Sequence, residues 1–144
     1  MHTVYIYIYS WLCTLLIFKT IFLLFQLHIY DYSTSQVLKR VSKFPSHVYA
    51  ASYRNDGRLL AVGSEDSIVR IVQVAALSGT STILRQLPHK SAAVHSARFL
   101  GDNLRIASAC DDGYVRLWNL ATGSIISSSH SHNVSLVFQT LANI

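Results

Sequence analysis

Cysteine is nearly absent. Cys13 and Cys110 are the only two in 144 residues, and neither has a second ligand at metal-site spacing. That scarcity removes a disulfide framework and a zinc site from consideration, and it fits a reducing compartment. Charge is thin as well: 13% of residues, seven acidic side chains against twelve basic, which is low for a soluble domain. Much of the shortage lies in one stretch, since Lys19 is the only charge between Val4 and Phe25. From residue 28 onward there are 11 basic and 7 acidic side chains, a net of about +4. An excess of that size suits contact with RNA or acidic proteins, and it suits an ordinary soluble domain equally. No phosphate loop is present: Gly57, Gly63 and Gly113 sit in neither a GxxxxGK nor a GxGxxG pattern leading from a strand into a helix. With no catalytic motif anywhere, neither an enzyme nor a cofactor is expected. The length allows about one domain and one core.

What the chain does contain is a repeat. A shift of 46 residues lays "VYAASYRNDGRLLAVGSEDSIVRIVQV" (48–74) over "VHSARFLGDNLRIASACDDGYVRLWNL" (94–120) without a gap. Seven positions are identical: Val48/Val94, Ala51/Ala97, Asp56/Asp102, Ala61/Ala107, Asp66/Asp112, Val69/Val115 and Arg70/Arg116. Others keep their character, as in Tyr53/Phe99, Leu60/Ile106 and Ile71/Leu117.

Each copy parses as short strands. Val94 to Phe99 is apolar-rich, Leu100 to Asn103 is a turn, and Arg105 to Ala109 is a strand of small residues. Asp111-Asp112-Gly113 then makes a tight hairpin turn, because Asp and Gly accept backbone angles that β-branched residues do not. Tyr114 to Leu120 alternates as a third strand, and Ser124 to Ser128 supplies an outer fourth. Four strands in 40 to 46 residues is the length of a β-propeller blade. A further match, at a shift of 88, sets "IYDYSTSQVL" (29–38) over "LWNLATGSII" (117–126). The expected fold is therefore all-β, a partial propeller of about two full blades and two partial ones. Its open strand edges need covering.

At "ASACDDGYVRLWNL" the chain resembles the WD-repeat family, with Asn119 in place of the final Asp and Pro88-His89 in place of Gly-His. The resemblance implies that His89, Ser108, Asp112 and Trp118 form a structural tetrad, hydrogen-bonded in series and locking the Asp turn. A hydrolase triad from the same residues is disfavoured, since the serine lies mid-strand and no oxyanion loop is visible. In the other blade Val62 and Val72 take the Ser and Trp positions and only Asp66 is kept, so that blade is expected to rest on apolar packing alone. Residues 27 to 138, above all "IYDY" and "YRNDGRLLAVGSED", resemble more narrowly the WD-repeat subunits of the small-subunit processome. That likeness implies a non-enzymatic nucleolar scaffold for pre-ribosomal RNA transcription and processing. Its partners would be other processome proteins and, indirectly, pre-rRNA and snoRNA. The rival readings are an adaptor of another complex and a membrane-anchored propeller fragment.

Arg70 and Arg116 recur at the same blade position, opposite Val69 and Ile71 or Val115 and Leu117. They are expected on solvated blade surface or on an RNA or acidic-partner surface, joined elsewhere by Arg54, Arg58, Arg98 and Arg105. His130 and His132 lack a third ligand, so no metal is expected. Residues 1–26 form a separate hydrophobic, possibly helical segment before the fragment at 27–144. They are long enough to span a membrane, but carrying the Asp112-Gly113 hairpin back 88 residues lands on Leu24-Phe25, which cannot make that turn. Tyr5 to Tyr9, moreover, read as a translated TA repeat. The segment is thus either a membrane anchor or mis-translated non-coding sequence.

Overall fold

The computed structural model describes residues 4–8, 25–31, 36–74, 81–90 and 92–131. Every regular element among them is a strand. β1 (Val4–Ile8), β2 (Phe25–Asp31) and β3 (Val37–Phe44) form a three-stranded sheet in that order. β4 (Val48–Tyr53), β5 (Leu59–Ser64), β6 (Ile68–Gln73) and β7 (Thr82–Pro88) form a four-stranded antiparallel sheet, the first blade. β8 (Val94–Phe99), β9 (Arg105–Cys110), β10 (Tyr114–Asn119) and β11 (Ile125–His130) form the second. The all-β, partial-propeller expectation is met. The strands of the second copy lie within two residues of the expected bounds. The N-terminal stretch departs from a helix where it is described: Val4–Ile8 is a strand, with Val4 opposite Asp31 and Ile8 opposite Leu27. Alternating aromatic and β-branched residues fit a pleated surface. Residues 9–24 of that segment lie outside the described residues. No helix among the described residues is long and apolar enough to cross a membrane.

The repeat fixes backbone as well as side chains. Gly57 and Asn103, which align, both hold positive φ, at 69° and 58°. Ser67 and Gly113, which also align, hold 66° and 78°. Both hairpin types therefore demand a left-handed residue at one fixed place, and Ser67 occupies such a place with a Cβ that opposes it.

Two apolar seams hold the sheets together. Between the blades, Leu59, Ala61, Val69, Ile71 and Leu87 pack with Val94, Ala97, Ile106, Cys110 and Trp118. Gly63 sits where this seam is tightest, because a Cβ there would stand 2.9 Å from both Cγ1 and the carbonyl oxygen of Val94. On the other face of the first blade, Leu60, Val62 and Val72 join Leu27, Ile29, Val41, Phe44 and Val48. The outermost strand β11 is exposed along its length.

Candidate functional site

The polar centre of the second blade lies in its seam with the first. Strand β9 brings in Ser108, β10 brings in Trp118, and the residue after β7 is His89; all three are buried, Ser108 completely. Trp118 Nε1 donates to Ser108 Oγ at 2.8 Å, and His89 Nε2 lies 2.8 Å from the same oxygen. An indole nitrogen only donates, so the Ser108 oxygen accepts there, and its own proton goes to His89 Nε2 at 2.8 Å in preference to the Arg116 carbonyl at 3.5 Å. That assignment leaves Nδ1 as the protonated nitrogen, donating to the Leu87 carbonyl at 3.2 Å. His89 is therefore neutral. Burial, and next the positive charge of Arg116, hold its pKa down at about 4. The Ser108 hydroxyl is thus completely buried and committed to this internal hydrogen-bond chain.

Asp112 does not complete this chain. Its carboxylate faces Arg116 instead, with Nη2 donating at 2.5 Å and Nη1 at 3.2 Å, and it accepts the Tyr114 N–H at 3.0 Å. The guanidinium carries a full charge and lies four residues along the same hairpin, so it outcompetes a neutral imidazole for the carboxylate. Burial raises the Asp112 pKa, but the Arg116 hydrogen bonds and the Tyr114 N–H more than offset it and the net lies below 3.8. Arg116 is held above the ordinary guanidinium value, chiefly by its hydrogen bond to Asp112.

The first blade repeats this ion pair. Arg70 Nη2 and Nη1 donate to Asp66 at 2.5 and 3.0 Å. Ser64, completely buried, donates to Asp66 Oδ1 at 2.5 Å and accepts from Arg70 Nη1 at 2.8 Å. Cys110 fills the slot of Ser64 in the second blade, and burial drives its thiol up to about 12. Apolar packing alone, as expected for the first blade, is corrected: it holds a buried Ser64–Asp66–Arg70 cluster. The arginines are corrected too. Arg70 is 5% and Arg116 7% exposed, so both lie inside the blade seams rather than on solvated or partner-facing surface. Alternation named their face rightly but could not say that the neighbouring sheet covers it.

Sequence reasoning missed a second feature spanning the blades. Tyr49 stacks on His95 at 4.7 Å between ring centroids. His47 pairs with Glu65 at 2.7 Å and His95 with Asp111 at 2.8 Å. The signal was available: the 46-residue shift aligns Tyr49 with His95 and Glu65 with Asp111. His130 packs edge-on against Tyr114 at 4.9 Å, while His132 lies outside the described residues. No group of three or more potential metal ligands occurs among the described residues.

The profile of the WD domain, G-beta repeat family matches residues 38–72 and 81–119. The chain belongs to the WD-repeat family. Each matched WD repeat takes the outer strand of one sheet, β3 or β7, and the three inner strands of the next, so the repeat unit itself staples neighbouring sheets. Among curated WD-repeat relatives, the U3 small nucleolar RNA-associated protein 15 homolog of Xenopus tropicalis is 36% identical over 107 residues, covering 74% of this chain and 20% of that protein. That of Gallus gallus is 36% identical over 108 residues, covering 75% and 20%. U3 small nucleolar RNA-associated protein 15 of Saccharomyces cerevisiae is 33% identical over 97 residues, covering 67% and 18%. The chain spans about a fifth of the length of these relatives.

Proposed function

We propose that this chain is part of a non-catalytic WD-repeat scaffold for ribosome biogenesis, acting in the nucleolus within the small-subunit processome. In that role it supports pre-ribosomal RNA transcription and small-subunit rRNA processing by holding other processome proteins together. The observation that carries the reading is the likeness to relatives named as U3 small nucleolar RNA-associated protein 15, at 33 to 36% identity over about 70% of the chain. The chemistry supports a scaffold as well, because the Ser, His, Asp and Arg side chains that could do chemistry are spent on internal hydrogen bonds. A fold of this kind hosts unrelated roles, so the specific complex needs its own test. A tagged full-length version, purified from cell extract, should bring down U3 snoRNA and pre-rRNA from nucleolar fractions. Purification from cytosol without either RNA would end the proposal.

A further inference from the structure

The ends of the two blades differ in charge. At the end bearing the β5–β6 and β9–β10 turns, Asp66 and Asp112 are neutralised by Arg70 and Arg116, and Glu65 and Asp111 pair with His47 and His95. The opposite end is built from the β4–β5 and β8–β9 turns, and three contacts weld it into one surface. Asn55 N–H donates to Asn103 Oδ1 at 3.2 Å across the blades. Leu120 N–H, in the β10–β11 turn, donates to the Leu104 carbonyl at 2.9 Å. Arg85 lies against the same β10–β11 turn, where a Cβ added to Gly123 would stand 3.1 Å from its Nη1.

Five arginines, Arg54, Arg58, Arg85, Arg98 and Arg105, gather at this end against two aspartates, Asp56 and Asp102. The aspartates are committed: Asp56 to Arg54, and Asp102 to Arg105 at 2.5 Å. Arg58 and Arg98 are exposed and form no ion pair with a described residue. We infer that this end of the blades is a docking surface for the phosphate backbone of RNA. Among the described residues every cation on it is arginine, whose planar fork matches phosphate oxygens in pairs. Among the described residues, the large exposed apolar side chains at this end are Leu104 and, where β11 leaves the β10–β11 turn, Ile125 and Ile126, none of them aromatic. A protein interface of comparable extent would want an apolar, aromatic-rich centre there. With backbone contacts alone, binding would be insensitive to sequence and steeply sensitive to salt.

The inference goes beyond the proposed function and stands on charge and geometry. A chain that bound RNA here but never entered nucleolar fractions would keep it and lose the other. The test is binding of a fluorescent single-stranded RNA of mixed sequence to the purified chain across a salt series. The Arg58→Ala/Arg98→Ala double variant should bind roughly tenfold more weakly, and lose about 1.4 from the slope of log K against log salt, the value for two phosphate contacts to a single strand. Lys90→Ala, which removes an exposed cation outside this surface, should leave both unchanged, and Arg58→Lys/Arg98→Lys, which keeps the charge but not the fork, should keep the salt slope while losing part of the affinity, which guards against misfolding as the cause. Equal weakening by all three variants, no RNA binding by the parent chain, or displacement of the RNA by polyglutamate at matched charge would each overturn the inference.

Discussion

The two blades solve one problem in two ways. Both must hold an Asp hairpin against a neighbouring sheet, and both do so with a carboxylate–guanidinium pair four residues apart, Asp66–Arg70 and Asp112–Arg116. Beneath that shared lock they diverge. The second blade runs a chain from Trp118 through Ser108 to His89. The first has Val62 and Val72 at the aligned places, and Phe44, four residues before Val48, lies in the same buried cluster. Burying each such apolar side chain contributes about 1.5–3 kcal/mol, against about 1 kcal/mol net for each hydrogen bond. The first blade therefore gives up nothing by omitting the polar chain. The lesson is that the ion pair belongs to the blade, while the imidazole–hydroxyl–indole chain is one of two fillings for the space beside it.

The largest expected effect comes from breaking the shared part. Asp66→Ala and Asp112→Ala each strand a guanidinium that is less than a tenth exposed, and each should cost roughly 3 kcal/mol or more in denaturant unfolding. Losses of similar size in both blades are the outcome the comparison requires. If one variant were silent, the lock would belong to a single blade. Next comes the part that differs. Ser108→Ala leaves Trp118 Nε1 and His89 Nε2 without their partner and should cost about 1–3 kcal/mol. Val62→Ser makes the reciprocal error, placing a hydroxyl among Phe44 and Val72, and should cost a similar ~1–3 kcal/mol. Thermal melts that left Val62→Ser at parent stability would mean that the first blade tolerates the polar filling after all. The smallest effect is a gain. Ser67→Gly removes a Cβ from φ 66° and gives the first hairpin the residue found in the second. It should stabilise by about 0.5–1 kcal/mol, and a loss would show that the side chain of Ser67 has a role of its own.

Much of this architecture could be read before any coordinates. The 46-residue shift located the strands, and the WD-repeat resemblance brought His89, Ser108 and Trp118 together as found. Three things stayed hidden for physical reasons. A period of two says which side chains share a face but not what lies on it. Arg70 and Arg116 thus read as surface although a second sheet buries them. Asp112 was matched to His89 by motif, whereas its choice between imidazole and guanidinium depends on charge and reach across a hairpin. The sparse charge of the N-terminal stretch drew attention to a helical span, and the Tyr-Ile alternation reads there only as a translated repeat, although alternation of that kind also suits the strand found at Val4–Ile8.

The difference between the blades is tested most directly by hydrogen exchange of their inner strands as a function of pH, corrected for intrinsic rates. His89 has a folded pKa of about 4 against an ordinary 6.5. The unfolded chain thus binds the extra proton first, and the stabilisation due to neutral His89 is complete above 6.5 and is lost as pH falls toward 4. The carboxylates of Asp66 and Asp112 are depressed below 3.8 in both blades. Their contribution persists above that value and is lost below it. The account predicts that β9 and β10 lose protection between pH 6.5 and 4 while β5 and β6 keep theirs until the carboxylates protonate. Simultaneous loss from both blades across the upper window would contradict it.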